Sequence, residues 1–247
     1  MKYAIIAAGE GSRLAAEGIE SPKPLVKVSG EMLIDRLIRI FMENDAEEIV
    51  IICNDLTTLV GQHLLDIQQN GLKGRPVPLR FVMKSTPSSM HSFFEISCYL
   101  NDSPFCLTTV DTIFQPEEFK DYIDSFKNAV EEGLDGMMGV TDYIDDEKPL
   151  YVDVDDYLDI KAFLDKSDSC RFISGGIYGL TPRSITTLQG CIDRGESRMR
   201  NFQRALIADG LKLKAYKFCK VLDIDHAADI KKAENFLAED FSGKESK

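Results

Sequence analysis

The chain has 247 residues, of which 44% are hydrophobic, so it can bury a closed core without disulfides or a structural metal. Acidic residues outnumber basic ones by 41 to 29, and the net charge of −12 disfavours nucleic acid and anionic membrane surfaces as partners. The chain has no apolar run long enough for a membrane span. We therefore expect a cytoplasmic protein with reduced cysteines, in which an anionic small substrate would need a local basic pocket.

Short apolar runs alternate with amphipathic stretches along the first half of the chain. The apolar runs predict strands over residues 3–8, 48–53, 79–83, 105–110, 136–141, 151–154, 173–180 and 213–218. The amphipathic stretches predict helices over residues 32–41, 56–69, 90–100 and 116–132, and a last helix through 236–237. This order predicts an α/β fold with a parallel sheet whose faces are covered by helices. Acidic turns after about residue 140 indicate a small antiparallel insertion.

The loop after the first predicted strand is rich in groups that bind anions. Residues 7–25 read AAGEGSRLAAEGIESPKPL. Gly9 and Gly11 leave backbone N–H groups open to phosphate oxygens, while Arg13 and Lys23 add two cations. A dinucleotide-binding turn needs a glycine at position 14 and a P-loop needs G-K-[ST], and Leu14 with its neighbours satisfies neither. A purely structural glycine turn is the alternative, but the two cations favour a polyphosphate ligand.

This loop and the segment after it resemble the signature of the sugar-nucleotide pyrophosphorylases, nucleotidyltransferases that join a nucleoside triphosphate to a sugar 1-phosphate. The family pattern A-A-G-x-G-[ST]-R-[LM], followed by P-K-x-L, is matched at Ala7, Ala8, Gly9, Gly11, Ser12, Arg13, Leu14, Pro22, Lys23 and Leu25. The resemblance implies a single Rossmann-like (GT-A-like) nucleotidyltransferase domain over residues 1–240, with a mixed, mostly parallel central sheet flanked by helices. The resemblance further implies a nucleotide-binding part over about 1–115, an acceptor-binding part over about 116–240 and a flexible tail over 241–247. It also implies that Ala8, Gly9, Gly11 and Ser12 bind the nucleotide.

The same resemblance implies a Mg²⁺ site built from two acidic residues that are distant in sequence. Asp111 follows an apolar run, where the family carries a metal-binding aspartate, although Val110 replaces the usual glycine. Near the C-terminus, VLDIDHAADIKKAENFL resembles the family pattern [VI]-D-[IV]-x-T-x-x-D and makes Asp223 the second expected ligand. Asp225 is a further candidate, with an alternative interpretation as a carboxylate at the start of a helix. Two carboxylates with water and phosphate oxygens suit Mg²⁺.

The segment AFLDKSDSCRFISGGIYGL resembles the part of the family sequence that binds the acceptor, a glutamate-lysine pair followed by N-A-G-[IV]-Y. Asp165 stands where the family has a glutamate, and Lys166 matches the lysine that follows it. In the family these two residues reach the sugar and its phosphate. Gly176 matches the glycine of the family's N-A-G-[IV]-Y pattern, and two adjacent glycines allow close approach of a substrate ring.

The segment expected to bind the base, KSTPSSMHSFFEIS, lacks the glycine that many family members carry there. Ser88 and Ser89 are candidate base-binding residues. His91 is a candidate for contact with the base or the acceptor, and the alternative is a packed histidine at the start of a helix. A similar glycine-free loop occurs in bacterial phosphocholine cytidylyltransferases, which share the fold. The base and the acceptor therefore stay open.

The resemblance implies a displacement in which the acceptor phosphate attacks the α-phosphorus, Arg13 holds the departing phosphates, Lys23 holds the α-phosphate and Lys166 orients the acceptor. A metal-dependent glycosyltransferase would need a D-x-D motif, but residues 111–113 read DTI. Two alternatives remain: a cytidylyltransferase acting on phosphocholine or another alcohol phosphate, and a non-catalytic nucleotide-sugar-binding protein. The sequence does not decide whether the chain forms a homo-oligomer.

Overall fold

The central sheet is built around β1, the first apolar run of the chain. A computed structural model describes residues 1–145 and 148–239, so the tail expected over 241–247 lies outside the described residues. The strands are β1 (Lys2–Ala7), β2 (Lys27–Val28), β3 (Glu31–Met32), β4 (Glu48–Cys53), β5 (Leu79–Met83), β6 (Phe105–Thr109), β7 (Thr112–Ile113), β8 (Gly136–Thr141), β9 (Tyr151–Val154), β10 (Ile160–Leu164), β11 (Phe172–Leu180), β12 (Leu213–Phe218) and β13 (Leu222–Asp223). All eight predicted strands are present, with ends that differ by at most one residue.

Helices cover both faces of this sheet. They are α1 (Ser12–Ala16), α2 (Leu33–Glu43), α3 (Thr58–Asn70), α4 (Ser89–Ile96), α5 (Pro116–Glu131), α6 (Arg183–Asp193), α7 (Met199–Ala208) and α8 (Ala227–Leu237). Two short 3-10 helices span Lys23–Leu25 and Ser97–Tyr99. None of the helices in the described part of the chain combines the length and the apolar character that crossing a bilayer demands.

Within the described residues, nine strands form one mixed sheet. Strands β6, β1, β4 and β5 are parallel neighbours, and β11 joins β6 in the antiparallel direction. β11 also pairs with β8 and β9, β12 pairs with β8, and β10 pairs with β9. The predicted α/β fold, with antiparallel strands after about residue 140, is confirmed.

Side chains of β1 point alternately into two apolar cores, as the strand period requires. Tyr3 and Ile5 pack with α2, α3, α5 and α8 on one face. Ala4 and Ile6 pack with α4, α6 and α7 on the other. Because both faces are buried, β1 is a continuous apolar run, and its polar continuation must emerge at the carboxyl edge.

An ion pair between α2 and α3 gives the fold a testable pH dependence. His63 Nε2 lies 2.6 Å from Asp35 Oδ1, and this hydrogen bond raises the pKa of His63 despite its partial burial. A raised pKa stabilises the fold fully below the unfolded value of about 6.5, and the stabilisation disappears as pH rises through the folded value. We expect His63→Gln to lower the free energy of unfolding by up to about 1 kcal/mol near pH 6, and by much less near pH 9.

Urea unfolding of the wild type, His63→Gln, Asp35→Asn and the double variant at both pH values measures this difference. The double-mutant cycle isolates the pair from the loss of either side chain alone. A coupling free energy that is unchanged between the two pH values would contradict the prediction.

Candidate active site

The loop that leaves β1 has the backbone freedom that its glycines predict. Gly11 has φ +65°, a left-handed conformation, and a Cβ added there would lie 3.1 Å from Lys23 Cβ. A side chain at position 11 would therefore strain the backbone and press on Lys23. Gly9 has open space around it, so its backbone is accessible to a ligand. Ser12 is exposed at the first position of α1.

Asn54 holds this loop in place, and the sequence analysis did not single it out. Its Nδ2 donates to the carbonyl oxygens of Gly9 at 3.0 Å and Ala8 at 3.4 Å, while its Oδ1 accepts from Leu56 N at 3.2 Å. Asn54 directly follows β4, which lies beside β1 in the sheet. A buried amide at the carboxyl end of a strand next to β1 is the sequence signal that could have identified it.

Lys23 connects two of the predicted acidic residues. Its Nζ lies 2.5 Å from Asp111 Oδ2 and 2.9 Å from Asp225 Oδ1. Arg13 Nη1 lies 2.8 Å from the other oxygen of Asp225. The two cations of the N-terminal loop and acidic residues from two distant segments thus form one connected cluster.

Burial makes the pairs in this cluster unequal. The side chains of Lys23 and Asp111 are 12% and 17% exposed, whereas that of Arg13 is 60% exposed, so water screens the first pair least. Burial alone would lower the pKa of Lys23, but the charges and hydrogen bonds of Asp111 and Asp225 outweigh it and raise that pKa. Partial burial would raise the pKa of Asp225, but Lys23 and Arg13 lower it. Lys23 therefore stays cationic at neutral pH.

Short strands bring Asp223 beside Asp111. Asp111 lies in the turn between β6 and β7, and β13 pairs antiparallel with β7, with Asp223 opposite Thr112. Ile224 N donates to the carbonyl oxygen of Asp111 at 3.1 Å. Over residues 1–145 and 148–239, no group of three or more histidine, cysteine or acidic side chains has metal-site geometry. One carboxylate in the turn before β7 and one in the neighbouring strand β13 are hard oxygen donors, which fit Mg²⁺ when phosphate and water supply the other ligands.

The start of α8 is capped without the usual threonine. Asp229 accepts hydrogen bonds from the backbone N–H groups of His226 at 2.8 Å and Asp225 at 3.2 Å. Glu17 accepts from Ala227 N at 2.6 Å and lies 2.6 Å from His226 Nδ1. Because these acidic residues satisfy the helix start, the Asp225 carboxylate is directed to Arg13 and Lys23 rather than to a capping role.

Two cavities meet at the charged cluster. The first, the hydroxyl-lined cavity, has a volume of about 370 Å³ and is lined by Ala8, Gly9, Lys23, Thr86, Ser88, Ser89, Ser92 and Asp111, among others. The second, the charged cavity, has a volume of about 510 Å³ and is lined by Arg13, Tyr143, Lys148, Ser174, Gly175, Arg200, Asp223, Asp225 and Lys232, among others. The hydrogen bond between Lys23 and Asp225 therefore connects one cavity to the other.

The predicted base-binding residues lie in the hydroxyl-lined cavity. Ser88 caps α4 by accepting from His91 N at 3.4 Å, and its Oγ lies 2.9 Å from His91 Nδ1. Thr86 Oγ1 and Ser92 Oγ are 2.6 Å apart. His91 is not among the residues that line the two cavities, so its contact with Ser88 places it behind the cavity wall.

The predicted acceptor residues are placed less uniformly. Gly176 has φ +70° in a bulge of β11, where an added Cβ would lie 3.3 Å from Thr112 Oγ1, and its neighbour Gly175 lines the charged cavity. Asp165 lies outside both cavity linings and pairs with Arg200 and Arg204. Lys166 is exposed in the loop after β10 and lines neither cavity. The structure thus brings Arg13, Lys23, Asp111, Asp223 and Asp225 together, but not Lys166.

The fold and the cluster are those expected of a nucleotide-transferring α/β domain. The family model for nucleotidyl transferases matches residues 2–240. The chain belongs to this nucleotidyl transferase family. The UTP–glucose-1-phosphate uridylyltransferase AglF of Haloferax volcanii is 24% identical over 97% of this chain and 98% of its own length.

Solved structures of similar proteins share the fold at low sequence identity. The inositol-1-phosphate CTP transferase of T. maritima superposes with a TM-score of 0.77 at 21% identity, covering 96% of each chain. A UDP-glucose pyrophosphorylase in complex with UDP-glucose gives a TM-score of 0.76 at 18% identity, covering 95% of this chain and 97% of its own. These likenesses confirm the predicted nucleotidyltransferase fold.

Proposed function

We propose that this chain joins a nucleoside triphosphate to a sugar 1-phosphate, giving a nucleotide-sugar and pyrophosphate. The observation that carries the proposal is the cluster of Lys23, Asp111 and Asp225 at the meeting point of two cavities. Transfer between two phosphorylated substrates needs such an arrangement, in which both phosphates reach one set of charges. The similarity to AglF, a uridylyltransferase named for glucose 1-phosphate, supports the acceptor class.

The chemistry we propose is a single displacement at the α-phosphorus. A phosphate oxygen of the acceptor forms the new P–O bond, and the bond between the α-phosphorus and the bridging oxygen breaks to release pyrophosphate. A general base is unnecessary because a phosphate monoester is already ionised at neutral pH. Arg13 holds the departing phosphates and Lys23 stabilises charge at the α-phosphate, so catalysis is alignment and electrostatic stabilisation.

We further propose that the reaction depends on Mg²⁺. Asp111 and Asp223 would hold the ion, with Asp225 as a third candidate, because their oxygens are the ligands that Mg²⁺ prefers. When bound there, Mg²⁺ neutralises phosphate charge. Lys23 contacts Asp111 and Asp225, so its ammonium would bind the same phosphate groups as the ion.

The charged cavity favours a sugar phosphate over phosphocholine. Tyr143 is the one tyrosine or phenylalanine among the described residues that line this cavity. The Lys220 ammonium already lies 4.3 Å from the centre of its ring. Recognition of a quaternary ammonium uses several open aromatic faces, so this cavity lacks the usual means of holding choline.

Pyrophosphate release, measured across the four ribonucleoside triphosphates and dTTP with a panel of acceptors, tests the proposed function. The panel contains hexose 1-phosphates, inositol 1-phosphate and phosphocholine. We expect release only when a triphosphate and a hexose 1-phosphate are both present. Release when the acceptor is phosphocholine or inositol 1-phosphate, and not when it is a hexose 1-phosphate, would favour the alcohol-phosphate alternative. Nucleotide-sugar binding without any release would favour a non-catalytic binding protein.

Asn54 gives a prediction about the loop that binds the nucleotide. Asn54→Ala removes two hydrogen bonds to the loop carbonyls, each worth about 1 kcal/mol. We expect KM for the triphosphate to rise by about 5- to 30-fold, while KM for the acceptor changes little. Asn70→Ala, which removes an exposed amide at the end of α3, is the matched control. Equal KM values in wild type and Asn54→Ala would show that the loop does not need this support.

A further inference from the structure

Arg200 is an unassigned cation that is fixed in the wall of the charged cavity. It lies in the first turn of α7, and its side chain is 29% exposed. Its Nη1 lies 2.6 Å from Asp165 Oδ1, and its Nη2 donates to the carbonyl oxygen of Lys148 at 3.0 Å. Two contacts from different segments hold the guanidinium, so little side-chain entropy is left to lose when a ligand binds.

Asp165 is shared between two arginines. Arg204 Nη2 lies 2.7 Å from the same carboxylate oxygen, while Arg204 Nε donates to the carbonyl oxygen of Phe163 at 3.1 Å. Hydrogen bonds from Arg204 and Arg200 lower the pKa of Asp165, so the carboxylate stays ionised. Two guanidinium groups against one carboxylate leave one net positive charge. Arg200, unlike Arg204, lines the charged cavity, so part of this positive charge lies at the cavity wall.

Two other cations of this cavity are paired with carboxylates of the cavity itself. Arg13 lies 2.8 Å from Asp225. Lys232 lies 2.8 Å from Asp145 and 3.2 Å from Asp229. Compared with these two, Arg200 supplies positive charge that the cavity's own acidic residues do not contact.

We propose that Arg200 binds the phosphate group of the acceptor and that Asp165 is a positioning residue that acts through Arg200. The chemical class of the ligand is a phosphate monoester, because a guanidinium matches phosphate oxygens in both charge and hydrogen-bond direction. The assignment of this phosphate to the acceptor rests on the proposed function. Lys166, the residue expected in this role, is exposed outside the cavity lining, whereas Arg200 lies within it.

Steady-state kinetics with separate variation of the two substrates provides the first test. We expect Arg200→Ala to raise KM for the sugar 1-phosphate by about 10- to 100-fold and to leave KM for the triphosphate within about twofold. Arg200→Lys keeps the charge but loses the paired N–H donors of the guanidinium, so its KM for the sugar 1-phosphate should lie between those of wild type and Arg200→Ala. Asp165→Asn should raise the same KM by a smaller factor.

Arg204→Ala is the matched control, because it removes the second arginine on Asp165 without touching the cavity. Its acceptor KM should stay within about twofold of wild type, and thermal unfolding should show all four variants folded. An acceptor KM that is unchanged in Arg200→Ala, or raised equally in Arg204→Ala, would overturn the proposal. If Arg200→Ala does not fold, the acceptor KM of Arg200→Lys is compared with that of Arg204→Lys. A KM that is raised only in Arg200→Lys supports the proposal, and a KM that is equal in the two variants overturns it.

Calorimetric titration with glucose 1-phosphate, inorganic phosphate and glucose separates this inference from the proposed function. We expect the wild type to bind the two phosphates, and Arg200→Ala to lose that binding while its response to glucose is unchanged. Arg200-dependent phosphate binding without pyrophosphate release in the substrate panel would refute the proposed function but not the phosphate site. If pyrophosphate is released but phosphate binding is unchanged in Arg200→Ala, the phosphate site is refuted and the proposed function is not.

Discussion

Replacing Asp111 with Asn is expected to lower kcat by two to three orders of magnitude, corresponding to a loss of about 3 to 4 kcal/mol of transition-state stabilisation. The substitution keeps the shape of the side chain but removes its charge. It therefore weakens both the contact with Lys23 and the proposed Mg²⁺ site shared with Asp223. We also expect a higher Mg²⁺ concentration at half-maximal activity. Pyrophosphate release as a function of Mg²⁺ concentration measures both effects.

Asp102→Asn is the control for this experiment. Asp102 is an exposed aspartate that pairs with Lys2 and lines neither cavity, so its replacement repeats the chemical change without touching the site. Its kcat and Mg²⁺ dependence should match those of the wild type. Near-wild-type turnover by Asp111→Asn with every productive substrate pair would contradict the metal assignment.

Replacing Lys23 with Met is expected to have an effect of similar size on turnover. The methionine keeps most of the apolar volume but removes the ammonium that contacts Asp111 and Asp225. Preorganised charge aimed at the reacting phosphate is lost, so kcat should fall by about two to three orders of magnitude. Arg at this position should not restore activity, because the compact Lys23 ammonium lies between Asp111 at 2.5 Å and Asp225 at 2.9 Å, and a longer, planar guanidinium cannot take the same position.

Lys27→Met, a neutralisation at an exposed position four residues further on, is the matched control and should leave kcat unchanged. Measurements of kcat, both KM values and the unfolding midpoint for the two variants distinguish loss of catalysis from loss of folding. A folded Lys23→Met enzyme that retains more than about a tenth of wild-type turnover would remove Lys23 from the proposed mechanism.

Local apolar runs were sufficient to predict the main sheet. Strand β4 is buried along nearly its whole length, and its sequence shows this directly. The order of strands and helices then predicted a parallel α/β sheet with an antiparallel insertion after about residue 140, and the family resemblance implied that the sheet is mixed. Short elements in the second half of the chain were missed. α7 buries Met199, Phe202 and Leu206 at helical spacing, but it has only 10 residues and carries arginine, asparagine and glutamine between them. β10 is a strand of 5 residues at the edge of the antiparallel part of the sheet.

The site was predictable where a motif fixes the residues and not where tertiary contacts do. Arg13, Lys23, Asp111 and Asp223 follow from patterns with fixed spacing. Asn54, Glu17 and Arg200 act on residues between 35 and 210 positions away, and no local pattern records such contacts. The resemblance also cannot decide whether a matched residue faces the cavity. Lys166 matches a family lysine but lies outside both cavity linings.

The fate of a labelled triphosphate tests nucleotidyl transfer most directly. The productive substrate pair is incubated with triphosphate labelled at either the α- or the γ-phosphate, and the products are separated. We predict that the γ-label leaves as pyrophosphate and that the α-label enters the sugar product, in equal amounts. Release of the γ-label as orthophosphate, or an α-label that never joins the sugar, would contradict the account.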